Sequence, residues 1–173
     1  VELEDNTAIP GLPVRLRLVL LVPTWMPRPP VTPTYDAPNV MVRQDGRAAT
    51  AISERIGGKT WAGIAREYLL FPLVAGAHDI PEQSKIIHYA DPMTRKPVAY
   101  ETRTAAFTLF GVAPESAAGL DPFIAAPSLL LEQTFDRDPA DLEPGDAVVR
   151  TVSVRIEGAT PMALPPLIQA DRR

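Results

Sequence analysis

Twenty prolines spread through 173 residues constrain this chain more than any other feature. They recur every few residues from end to end. Proline fixes its own φ and has no N–H to donate, so a helical protein would be broken by that distribution. Short strands joined by Pro-marked turns tolerate it. Hydrophobic residues make up 46% of the chain, ample for a packed core. The expectation is an all-β protein.

The clearest strand signal lies between Lys59 and Pro81, KTWAGIAREYLLFPLVAGAHDIP. Trp61, Gly63, Ala65, Glu67, Leu69 and Phe71 fall on one parity, and Ala62, Ile64, Arg66, Tyr68 and Leu70 on the other. Two-residue periodicity without a helical stripe is the signature of a strand. Pro72 ends ladder pairing, Gly76 supplies a turn, and His78 to Ile80 is short and extended, closed by Pro81. The stretch reads as an antiparallel turn-back within one sheet.

Elsewhere the same logic places a first edge strand at Glu2 to Asp5 and a strong strand at Val14 to Val22, where Val14, Leu16, Leu18, Leu20 and Val22 oppose Arg15 and Arg17. Val40 to Val42 reads as a short strand and Gln44-Asp-Gly46 as a turn. Ala48 to Arg55 is Ala-rich and extended, and Gly57-Gly58 is the turn into the organising stretch. Ile86 to Tyr89 and Tyr100 to Val112 are further strands, joined by a polar loop from Asp91 to Pro97. About seven short strands with turn signals between them suit a β-sandwich over residues 1–112.

Residues 113–127, rich in Pro, Ala, Gly and Ser, read as a linker. A second β unit follows over 128–173, with strands at Leu129 to Phe135 and Ala147 to Glu157 and an exit from Met162 to Leu167. It is short for an independent β domain. Either it packs on the first unit or it is part of a second sandwich that continues further, and the second is the expectation adopted. The chain is accordingly expected to be a piece of a longer protein.

Lys and Arg number 17 against 21 Asp and Glu, a net charge of −4 with the signs mixed along the chain. No basic face is evident that would attract a phosphate backbone, so nucleic acid is not an expected partner. The chain has no cysteine, which excludes disulfides, thiolate metal sites and Cys nucleophiles.

Candidate chemistry is sparse. The two histidines, His78 and His88, with Asp79 and Asp91 nearby, match no metal-ligand spacing and read as solvated residues at strand ends. None of Ser53, Ser84, Ser116, Ser128 and Ser153 lies in a Gly-x-Ser-x-Gly elbow. The acidic run Asp136, Asp138, Asp141, Glu143 and Asp146 could hold calcium, but it lacks the EF-hand spacing and contains Arg137, so a solvated turn is the better reading. Gly57-Gly58-Lys59-Thr60 ends like a phosphate-binding loop, yet Ser53 stands where its first Gly belongs and a strand follows, not a helix. The segment from Pro23 to Pro38 carries six prolines together with Trp25 and Tyr35 and favours polyproline II or an irregular connection. Trp25, Met26, Arg28 and Tyr35 are the candidates for a partner-binding patch there; the better reading of Trp25 itself is a plug at one end of the sandwich, since large aromatics mostly serve burial.

Two segments carry a family resemblance. One is REYLLFPLVAGAHDIP, Arg66 to Pro81; the other is LEPGDAVVRTVSVRIEGATPMALPPL, Leu142 to Leu167. In this order, with the linker between them, they resemble the BatD (oxygen-tolerance, aerotolerance-operon) family of bacterial envelope proteins. The resemblance implies tandem immunoglobulin-like domains on the periplasmic face of the inner membrane, in a membrane-anchored parent protein. It also implies partners with von Willebrand factor A domains and, through them, a MoxR-type AAA+ ATPase. It supplies no catalytic residues, metal or cofactor. The functional expectation is a non-enzymatic protein–protein interaction module. The alternatives are a carbohydrate- or peptidoglycan-binding sandwich and a calcium-stiffened adhesin-like domain.

Overall fold

A computed structural model describes residues 1–120 and 123–167. The protein is all-β, with eleven strands among the described residues and only three short 3-10 turns. In chain order the strands are β1 (Glu2–Leu3), β2 (Thr7–Ala8), β3 (Val14–Val22), β4 (Val40–Ile56), β5 (Lys59–Pro72), β6 (Gly76–Ile80), β7 (Gln83–Ala90), β8 (Pro97–Thr104), β9 (Phe107–Gly111), β10 (Ser128–Phe135) and β11 (Arg150–Glu157). They form a four-stranded sheet in the order β1-β3-β5-β4, a three-stranded sheet β2-β9-β6, and two hairpins, β7-β8 and β10-β11.

The core lies between the four-stranded and three-stranded sheets. Leu16 and Leu18 from β3 and Tyr68 and Leu70 from β5 meet Ile80 from β6 and Leu109 from β9 in one buried cluster. The even-numbered parity of β5 therefore faces inward, as the alternation of a half-buried strand requires. The outer face carries ion pairs: Arg17 bridges Glu2 and Glu67 at 3.1 and 3.3 Å, and Arg15 meets Asp45 at 3.0 Å. At the Pro72 end that face is covered as well. Thr160, itself buried, donates its backbone N–H to the Gly11 carbonyl at 3.4 Å and lies 3.4 Å from the Met41 sulfur.

Four expectations are corrected by the tertiary arrangement. First, β5 and β6 do not turn back on each other in one sheet. β5 pairs with β3 and β4, whereas β6 pairs with β9, so the chain crosses between sheets after Pro72. Second, Tyr100 to Val112 is not a single strand. It divides at Ala105-Ala106 into β8, which pairs with β7, and β9, which pairs with β6.

Third, Gln44-Asp-Gly46 is no chain reversal but the start of a bulge inside one long strand, β4. Asp45 faces Glu67 and Thr50 faces Ala65, so residues 46–49 lie opposite Arg66 alone. Gly46, at φ 83°, takes up the backbone change without a side-chain clash. Fourth, neither histidine is a solvated end residue: His78 sits mid-β6, buried, and His88 lies inside β7. The Gly57-Gly58 turn is as expected. Both residues have positive φ, and Ile56 pairs with Lys59 across them, which makes a two-residue hairpin loop.

Candidate functional site

The Pro-rich segment between β3 and β4 behaves as a strap laid over the inner face of the large sheet. Its prolines suppress strand pairing, and specific contacts tie it down at both ends. At one end Thr24 donates its hydroxyl to the Ala90 carbonyl, and the Ala90 N–H donates to the Trp25 carbonyl at 3.0 Å. At the other, Pro33 is fully buried and its carbonyl accepts the Tyr68 hydroxyl at 2.8 Å.

Between these anchors the strap stands off the sheet and leaves a cleft of about 620 Å³. Trp25, Met26 and Arg28 line it from the strap, Arg47 and Ala49 from the bulge, and Ile64 and Arg66 from β5. Arg66 shares the inward parity of Tyr68 and Leu70, so the cleft begins where the apolar core stops. Among the described residues its lining has three arginines and no carboxylate.

The carboxylates nearest in sequence register, Asp45 and Glu67, stand on the opposite parity and are held there by Arg15 and Arg17. Arg66 donates to Gln44 Oε1 at 2.7 Å, and its Nε is buried without an acceptor. Arg28 donates to His88 Nε2 at 2.5 Å, a contact that requires that nitrogen to be unprotonated. Arg95 places its guanidinium 5.3 Å above the Trp25 ring. A concentration of fixed positive charge thus sits in an acidic chain.

No family model, curated protein or solved structure matches this chain. The site is therefore read from its own residues. Of the four patch candidates, three meet in this cleft: Trp25, 45% exposed, Met26 and Arg28. Exposure on that scale corrects the reading of Trp25 as a plug. Tyr35 is the second correction, because it is 4% exposed and belongs to the core, packed edge-to-face on Tyr68 with ring centroids 5.2 Å apart. It follows buried Pro33, and the strap has by then turned into the sandwich.

Arg47 and Arg66 were not singled out by sequence. The signal that could have drawn attention to Arg66 is its parity, a charged residue on the same side of the strand as Tyr68 and Leu70.

The remaining candidates have local partners. His78 contacts the Val74 carbonyl at 3.0 Å, and Ser84 donates to Glu101. The Ser84 hydrogen bond, with the nearby Arg103 charge, lowers the Glu101 carboxyl below its ordinary value. Asp91 accepts from the Thr94 N–H at 2.7 Å, from the Thr94 hydroxyl and from the Met93 N–H, both at 3.0 Å, and these bonds lower its carboxyl likewise. In the acidic run, Asp136 accepts from Val149 N–H, Asp138 from Ala140 N–H and Asp146 from Glu143 N–H, the geometry of turn-forming carboxylates. No group of three or more His, Asp or Glu side chains is placed to hold a metal among the described residues.

Proposed function

We propose that this chain is a non-enzymatic docking module of a BatD-like envelope protein, and that it engages partner proteins in the cleft between the strap and the large sheet. The observation that supports this reading best is the juxtaposition of that cleft with a strand edge. β4 is the outermost strand of its sheet, so beside Arg47 its outer edge carries no partner strand among the described residues. A concave charged surface beside an unpaired edge suits capture of an extended protein segment by strand addition.

The motif resemblance of Arg66 to Pro81 and Leu142 to Leu167 suggests the setting, the periplasmic face of the inner membrane. It suggests the partners too: proteins with von Willebrand factor A domains, and through them a MoxR-type ATPase. Titration calorimetry of the chain with a soluble von Willebrand factor A domain encoded by the same genome, with and without magnesium, tests this. Saturable binding that weakens in Trp25→Ala is expected. Absence of heat from a folded sample under both conditions overturns the choice of partner.

A further inference from the structure

We propose that the cleft is a binding site for an acidic peptide segment, received in extended form with its carboxylates on Arg28, Arg47 and Arg66. This rests on the docking reading and adds the chemistry of the partner. Three observations carry it.

The first is charge placement. The chain as a whole is acidic, at −4, and would repel an acidic partner; the cleft gathers three guanidinium groups and no carboxylate among the described residues. The flanking acids that could have neutralised them, Asp45 and Glu67, are paired with Arg15 and Arg17 on the opposite face of the sheet. Attraction is therefore local to the cleft: Arg28 and Arg47 are exposed at its rim, and partial burial reduces screening by water and salt at Arg66 alone.

The second is unmet hydrogen-bonding capacity. A guanidinium carries five N–H donors. Arg66 finds one acceptor, Gln44 Oε1, and holds a buried Nε without any. Donors in excess of acceptors at the floor of an open cleft suit a ligand that brings acceptors, and carboxylates match the fork geometry of arginine best.

The third is the shape and lining of the cleft. The bulge that sets residues 46–49 against Arg66 brings Arg47 to the edge of the sheet, beside the floor of the cleft. A peptide lying along β4 alternates its side chains, so every second residue faces the cleft and can set a carboxylate against the arginines, while the intervening residues point to the opposite face of the sheet. A glycan fits less well. Sugar sites stack rings on open aromatic faces, whereas Trp25 is the one aromatic side chain lining the cleft among the described residues, and Arg95 lies over its ring.

The test is fluorescence anisotropy on the full chain with a capped, labelled decapeptide of alternating Glu and Val. The same peptide with Gln for Glu and a sulfated polysaccharide serve as competitors. Saturable binding of the Glu peptide is expected, with no competition by the Gln peptide. Affinity should fall at least tenfold in Arg47→Gln combined with Arg66→Gln, and should weaken as salt rises from 0.05 to 0.5 M (order of magnitude, roughly ten-fold in ionic strength). Arg47 is exposed on the bulge, so Arg47→Gln alone removes one charge without disturbing packing and should also weaken binding. Arg66→Lys keeps the charge and should bind between the two.

Equal binding of the Glu and Gln peptides, or unchanged affinity in the double variant, overturns the proposal. Arginine-dependent binding in which the polysaccharide displaces the peptide at lower concentration overturns it in favour of an anionic glycan. The same variants titrated with the von Willebrand factor A domain separate the two readings. Domain binding that ignores both substitutions overturns the acidic-segment site and leaves the docking module standing.

Discussion

Tyr35 and Tyr68 meet edge to face in the core, their planes at 88°, and differ in one respect: the Tyr68 hydroxyl donates to the Pro33 carbonyl, whereas the Tyr35 hydroxyl is buried without a partner. The two rings tie the strap to the large sheet, but only one does so through a polar bond. Tyr68→Phe leaves the buried Pro33 carbonyl without its donor and should cost about 1–3 kcal/mol in chemical denaturation. Tyr35→Phe removes an unsatisfied polar atom and should leave the midpoint unchanged or raise it. Equal losses in the two variants would contradict the asymmetry.

The same pair sets an alkaline limit. Burial pushes the Tyr35 hydroxyl up to about 12, with the Tyr68 phenol adding to it, and burial raises Tyr68 as well. A tyrosine in the unfolded chain ionises near pH 10 (about 10). Because the folded values are higher, the associated stability is complete below about pH 10 and is lost as pH rises toward about 12. The thermal midpoint should fall over that interval, and less steeply in Tyr35→Phe. A midpoint independent of pH there would contradict the assignment.

Gly63 in β5 passes so close to β3 that an added Cβ would overlap the Leu20 carbonyl oxygen and come within 2.8 Å of its carbon. Both neighbours are backbone, so neither can swing aside. Gly63→Ala should destabilise by about 1–3 kcal/mol in urea. Gly58 needs its conformation, φ 78°, but has open space around it. Gly58→Asn, a residue that tolerates the left-handed region, should therefore cost far less.

Asp91 organises the turn between β7 and β8 through its bonds to Met93 and Thr94. Its carboxyl is lowered, so the stability it confers is present above the ordinary carboxylate range and is lost as pH falls through the depressed value. Asp91→Ala should lower the melting temperature at pH 7, and the gap from the unaltered protein should close on acidification. A gap that persists at low pH would place its origin elsewhere.

The hairpin of β10 and β11 should exchange its amide hydrogens faster than β3 and β5. Every residue of β10 is exposed, Leu131 to 62%, and the two strands pair only with each other among the described residues. A two-stranded ribbon without a buried face opens at low free energy. Hydrogen exchange followed by mass spectrometry checks this, and equal protection in the two regions would count against it.

Strand existence was legible because it is a local property. Prolines that forbid helices, and a two-residue alternation through Val14 to Val22 and Lys59 to Phe71, suffice to place β3 and β5. The Gly57-Gly58 turn was legible for the same reason, since two adjacent glycines permit the positive φ that a two-residue hairpin needs. Three of the four patch residues reached the cleft, while Tyr35 did not, because a tyrosine thirteen positions after the end of β3 carries no local mark of whether the chain has by then turned inward.

What the sequence by itself determined is thus the class of structure, the strands with an unbroken alternation, β3 and β5, and the Gly57-Gly58 turn that opens β5. Only the tertiary structure decided which strands share a sheet, since β5 and β6 are adjacent in sequence yet lie in different layers. It alone set four residues of β4 against Arg66, and it alone sent Asp45 and Glu67 to one face while leaving Arg28, Arg47 and Arg66 together on the other. The physical reason is range. Backbone preference and side-chain alternation act between near neighbours along the chain, whereas register, bulges and the pairing of charges depend on contacts between strands far apart in sequence.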